Sequence, residues 1–223
     1  KHLPRAVGDV SVNELTYNHE PLGNVSVALF YVPNDKTKHY ISAYISHNGE
    51  LALEVEGRYD TADEHSPIKA RAHVNEFPLD LANPFLGADL ASLYGSMEGD
   101  IQATGTPKNM RLNGTLNLKD AAVHLPQVGE TFSIDTEPLR FENSKLHLKN
   151  FCLRNSDKHT PISINGDFTL FGPEAMQANL RVDGDEVELI DSKQSRGQMV
   201  YGRLITSPHI TLRGNVSKPV IRG

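Results

Sequence analysis

Met110-Arg111-Leu112-Asn113-Gly114-Thr115-Leu116-Asn117-Leu118-Lys119 decides the fold. Every even-numbered position is apolar or Gly, and every odd-numbered position is polar. Alternate residues of a β-strand share a face, so this segment reads as a strand with one greasy side and one wet side. The same alternation runs through Leu51–Glu56, Ile68–Val74, Ile162–Leu170 and Met176–Asp183. Period-two patterning on this scale marks antiparallel sheet with one solvated face.

Gly114 is the centre of a five-residue figure: apolar, polar, Gly, polar, apolar. The figure occurs at Val55–Tyr59, Met97–Ile101, Leu112–Leu116, Ile164–Phe168, Val200–Leu204 and Leu212–Val216. Its Gly always falls in the apolar frame. Glycine inside a strand weakens it and marks a bend, a bulge or a close approach. Recurrence in one frame predicts a sheet that curls around a space.

Turn chemistry separates the strands. Asn48-Gly49 is a two-residue hairpin signal between Tyr40–Ser46 and Leu51–Tyr59. Pro33-Asn34-Asp35, Thr106-Pro107-Lys108-Asn109, Asn155-Ser156-Asp157, Asp183-Gly184-Asp185 and Ser207-Pro208 are further breaks. About fifteen strands result from the pattern. One short helix is expected near residues 84–94, entered through Asn83-Pro84 and closed by Gly95. A second short turn is expected after Gly172-Pro173-Glu174.

About fifteen strands spaced about 4.8 Å apart make a sheet on the order of 70 Å wide. One helix cannot cover its apolar face, and large exposed apolar patches mark binding surfaces. The face can be closed by a sandwich, by a barrel, or by folding one sheet lengthwise into a groove. The recurrent inward glycines favour the groove. The expectation is an all-β chain: a long antiparallel sheet curled into a groove with an apolar interior, forming a single unit over residues 1–223. The ends read as cuts in a longer repetitive protein.

The 223 residues carry a net charge of −6 with both signs mixed along the strands. Nucleic-acid binding needs a basic footprint, so that class is set aside. No stretch approaches the roughly 18 apolar residues of a membrane helix. The single cysteine, Cys152, sits between Phe151 and Leu153 and reads as a packed strand residue. Ten scattered histidines form no zinc-like ligand pair, and Asp183-Gly184-Asp185-Glu186 lacks calcium-loop spacing. No nucleophile elbow, phosphate loop or paired-cysteine motif is present. The reading is a non-enzyme without metal or cofactor.

The run from Asn83 to Leu125 resembles the C-terminal region of the TamB family, AsmA-like proteins of Gram-negative bacteria. The likeness lies in Pro84-Phe85-Leu86, Leu93–Ile101, Thr104-Gly105-Thr106-Pro107 and Leu112–Ala121, in that order. It continues through Leu139-Arg140-Phe141, Ile164–Phe168 and Val200-Tyr201-Gly202, and Asp9–Tyr31 is similar to a strand pair upstream. The resemblance implies a taco-shaped β-structure with an apolar inner surface. It also implies a periplasmic location within a protein anchored to the inner membrane, and a role in outer-membrane biogenesis. Phospholipid acyl chains and an outer-membrane barrel of the TamA kind are the partners it implies. It supplies no catalytic residues.

The residues expected to line the groove are Leu53, Val55, Gly57, Met97, Gly99, Ile101, Leu112, Gly114, Leu116, Ile164, Gly166, Phe168, Leu180, Leu204, Leu212 and Gly214. Inward glycines are expected to leave room for a guest chain. Two other readings stand beside the lipid groove. One is a scaffold whose sheet edge receives a client strand. The other is a structural sandwich with a filled core.

Overall fold

The computed structural model describes residues 5–17, 20–86, 91–127, 129–155, 160–170, 176–192, 202–215 and 218–223. Among the described residues the fold is all-β, with 76% of them in strands and no helix of seven residues or more. The first half is a meander of β1 (Ala6–Tyr17), β2 (Glu20–Pro33), β3 (Lys38–His47), β4 (Glu50–Asp60), β5 (Ile68–Pro78), β6 (Ser92–Thr106) and β7 (Asn109–Leu125). The second half holds β8 (Glu130–Asp135), β9 (Leu139–Glu142), β10 (Lys145–Asn155), β11 (Ile162–Thr169), β12 (Gln177–Asp183), β13 (Val187–Ser192), β14 (Gly202–Thr206), β15 (His209–Asn215) and β16 (Val220–Arg222).

Fourteen strands form one antiparallel sheet in nearly sequential order, β1 through β8, then β10, β11, β12, β15 and β16. Strands β8 and β9 are two lengths of one interrupted strand. Ala122 faces Ser133 and Gly114 faces Phe141, a single register on β7. Both pieces also share one register on β10. The hairpin β13–β14 is a separate two-stranded sheet inserted between β12 and β15, which pair directly. Within it Glu188 is buried and accepts hydrogen bonds from the Arg203 guanidinium, the shorter at 3.0 Å.

The Asn48-Gly49 hairpin forms as expected, with φ of 51° and 90° at its two turn residues, the left-handed pair a type I′ turn requires. The expected helix is present as one short turn and does not reach Ser92. A 3-10 turn (Leu79–Ala82) leads into α1 (Asn83–Leu86), and Ser92, Leu93 and Tyr94 already belong to β6. The Asn83 carboxamide accepts from the Leu93 N–H at 2.6 Å and donates to the Leu93 carbonyl at 3.0 Å. That double bond holds Leu93 extended against β7, where it faces Val123. Residues 87–90, and the turn expected at Gly172-Pro173-Glu174, lie outside the described residues.

Four strands carry a bulge at a left-handed residue: Glu14 in β1, Glu76 in β5, Asp120 in β7 and Asn150 in β10. A bulge turns one N–H out of the ladder and bends and twists its strand. Asparagine on the neighbouring strand supplies the missing acceptor twice. The Glu14 N–H donates to Asn24 Oδ1 and the Asn150 N–H to Asn165 Oδ1, each at 2.9 Å. At Glu76 the side chain meets the Lys119 ammonium, beside the Asp120 bulge. The four bulges lie on strands spread across the sheet, from β1 to β10.

Candidate functional site: a continuous apolar face

Register carries apolar residues across the whole sheet. Gly8 faces Leu29, which faces Ala43, then Val55, Ala72, Ile101 and Gly114. The line continues through Phe141, Leu146, Phe168, Ala178 and Gly214. Twelve strands thus contribute to one row without a polar side chain. A second row runs from Val10 through Val27, Ile45, Leu53, Val74 and Gly99 to Leu116 and Leu139. On the far side it resumes as Leu148, Gly166, Leu180, Leu212 and Ile221. A one-residue slip anywhere would swap faces, and every slip in the sheet is absorbed by a bulge.

Exposure along the second row follows position. Val10 at one edge is 64% exposed and Ile221 at the other is 62% exposed. Between them Val74 and Leu116 are 6% and 8% exposed. Most remaining members are half-buried. Along this row burial is greatest at the central strands and least at the two outermost ones. The chain exposes 14454 Å², against about 10,000 Å² for a compact monomer of this mass. The largest fully buried side chain is Phe132, 2% exposed, and the 3-10 turn and α1 pack against β6.

Fifteen of the sixteen expected lining residues belong to the main sheet and share this face. Leu53, Val55 and Gly57 lie on β4; Met97, Gly99 and Ile101 on β6; Leu112, Gly114 and Leu116 on β7. Ile164, Gly166 and Phe168 lie on β11, Leu180 on β12, and Leu212 and Gly214 on β15. Leu204 does not join them. It sits on β14 in the separate hairpin, 44% exposed, because β12 pairs with β15 and leaves β14 out of the main ladder. Val200, Tyr201 and Val216 of the repeated figures lie outside the described residues.

The reason for the glycines differs from the expected one. Gly99 and Gly114 have φ of +144° and +151°, and a Cβ added to either would come within 2.2 Å of a neighbouring-strand carbonyl oxygen. These positions are glycine because the backbone needs them to be, and the room a missing side chain leaves on the face is secondary.

The opposite face is charged and largely self-paired. His73 and Asp100, His147 and Asp167, and His209 and Asp183 stand directly across from each other, with ring nitrogen to carboxylate distances of 3.1, 2.6 and 3.2 Å. Arg181 first, then His209, hold the Asp183 carboxyl below its ordinary value. Among the described residues, no group of three or more His, Cys, Asp or Glu is placed to hold a metal ion. Among them too, no helix is long and apolar enough to cross a membrane. Comparison with family models, with curated proteins and with solved structures finds no match.

Proposed function

We propose that the apolar face is the inner wall of a taco-like groove that carries phospholipid acyl chains between the inner and outer membranes. The observation that supports it most is the unbroken register line from Gly8 to Gly214, apolar across twelve strands. Burying a methylene in such a trough is favourable by about 0.8 kcal/mol. Many equivalent aliphatic positions suit sliding better than one deep pocket does. The resemblance to the TamB family supports the same reading. It implies a periplasmic location within a protein anchored to the inner membrane, and a role in outer-membrane biogenesis. No acid, base or nucleophile is needed for such a role. Native mass spectrometry of the purified chain tests it: copurified phospholipid is expected. Photo-crosslinking to lipid should be lost in Phe168→Arg. A folded Phe168→Arg variant that crosslinks lipid like the parent would count against the groove.

A second reading is a scaffold for surface-protein assembly with a TamA-like barrel, through strand addition at β1. It is favoured by one observation: β1 is twelve residues long, pairs among the described residues only with β2, and exposes Val7 by 69% and Val10 by 64%. Natural edges are usually shortened or covered. Backbone N–H groups alternate in direction along β1. Of proline scans at Val10 and Ser11, one should therefore block client pairing while leaving the β1–β2 ladder intact.

A further inference from the structure

One region of the polar face sets like charges against each other. Arg58 on β4 stands directly opposite Lys69 on β5, and Arg71 is two residues further along β5. Arg111 follows in the same row through Thr104. Like charges directly opposite across two strands destabilise the pair. None of these four cations has a carboxylate within ion-pairing distance among the described residues, whereas Lys119, Lys149, Arg154 and Arg181 each do. Glu56 faces Arg71 in register without closing a bridge, and Asp63 is near enough to feel Lys69 but takes its main bond from the Ser66 N–H. In a chain of net charge −6, four cations beside two carboxylates that close no bridge with them are conspicuous.

Three of these cations, Arg58, Lys69 and Arg71, line a shallow depression of about 520 Å³ together with Tyr40, Ser42, Glu56 and Thr104. It offers two guanidinium forks, one ammonium and three hydroxyl groups against the single Glu56 carboxylate. Guanidinium forks match the oxygen spacing of phosphate, and an ammonium adds a point charge. We propose that this recess binds a doubly charged anion of the phosphate class, which relieves the Arg58–Lys69 conflict. The site is on the face opposite the apolar rows and does not depend on how those are used. The anion can reach it as a soluble phosphate or phosphomonoester, or as a phospholipid headgroup.

The test titrates isotopically labelled protein with inorganic phosphate and, separately, measures sedimentation with phosphatidylcholine vesicles with and without phosphatidate. Saturable backbone shifts at Arg58, Lys69 and Arg71 are expected, and R58Q/K69Q should weaken binding by roughly tenfold or more. Phosphate binding without vesicle binding assigns a soluble ligand. Binding to phosphatidate vesicles that R58Q/K69Q abolishes assigns a headgroup. Failure of both probes to bind saturably overturns the site. So does binding that survives R58Q/K69Q, or that Arg181→Gln weakens equally. Lys69→Glu provides a readout that a mere surface charge would not move. It should lose phosphate binding and yet raise the unfolding midpoint of the free protein, because it replaces opposed cations with an opposite-charge pair. A lowered midpoint would remove the premise.

Discussion

Gly99 on β6 and Gly114 on β7 lock into each other's strands. The missing Cβ of Gly99 would lie 2.2 Å from the Thr115 carbonyl oxygen, and that of Gly114 would lie 2.1 Å from the Asp100 carbonyl oxygen. Each glycine faces a bulky residue of the other strand, Leu116 and Ile101. Gly99→Ala and Gly114→Ala should therefore each cost about 1–3 kcal/mol through strained backbone and close approach. Gly8, whose added Cβ would meet nothing within 4 Å, is the control. Urea unfolding of the three variants checks the contrast, and equal midpoints for Gly114→Ala and Gly8→Ala would contradict it.

Asn165 lends its side-chain oxygen to the Asn150 N–H at the β10 bulge. Asn165→Ala should leave that N–H to water, since Asn150 is exposed, at a stability cost of about 0.5–1 kcal/mol. Hydrogen exchange should quicken at Asn150 with little change at Leu146, which sits in regular ladder opposite Phe168.

Leu116 and Leu204 were expected to play the same part, and the sheet separates them. Leu116→Ala removes a side chain that is 8% exposed and should cost about 2–5 kcal/mol. Leu204→Ala, in the separate hairpin, should change stability by no more than about 0.5 kcal/mol. Thermal or urea unfolding ranks the two directly.

Asp183 gives a pH signature. Arg181 and His209 depress its folded pKa below the ordinary 3.8, so the ionised form is favoured by folding. That stability is fully present above about pH 4 and is lost as pH falls through the depressed folded value. Asp183→Asn should be less stable than the parent at neutral pH, and the gap should close in strong acid. Unfolding titrations across that range check the sign, and a gap that widens in acid would reverse it.

Strand alternation was legible because burial on one side selects residue type directly. That is why Leu112-Asn113-Gly114-Thr115-Leu116 and Ile164-Asn165-Gly166-Asp167-Phe168 both land on the shared face. The bulges were missed, though they leave a mark. Val10–Leu15, Ala72–Phe77, Leu116–Ala121 and Leu146–Phe151 share one pattern: apolar, polar, apolar, two polar residues, apolar. The doubled polar step is the extra residue of the bulge, and the apolar frame resumes on the same face after it. The expected helix stops short of Leu93 for a different reason. Asn83 and Pro84 do start a helical turn, but the Asn83 side chain then bonds Leu93 into β6, a contact ten residues away that local propensity does not encode.

Sequence alone determined the strand content, the two-faced character of each strand and the Asn48-Gly49 turn, because these depend on neighbours one to three residues apart. Only the tertiary structure decided which strands share a face. Cross-strand hydrogen bonding aligned Gly8 with Gly214 through ten intervening strands, drew β12 to β15 and left Leu204 outside. It also set Arg58 against Lys69. Pairing partners are chosen by ladder geometry across the whole sheet, and no local pattern in the chain carries that information.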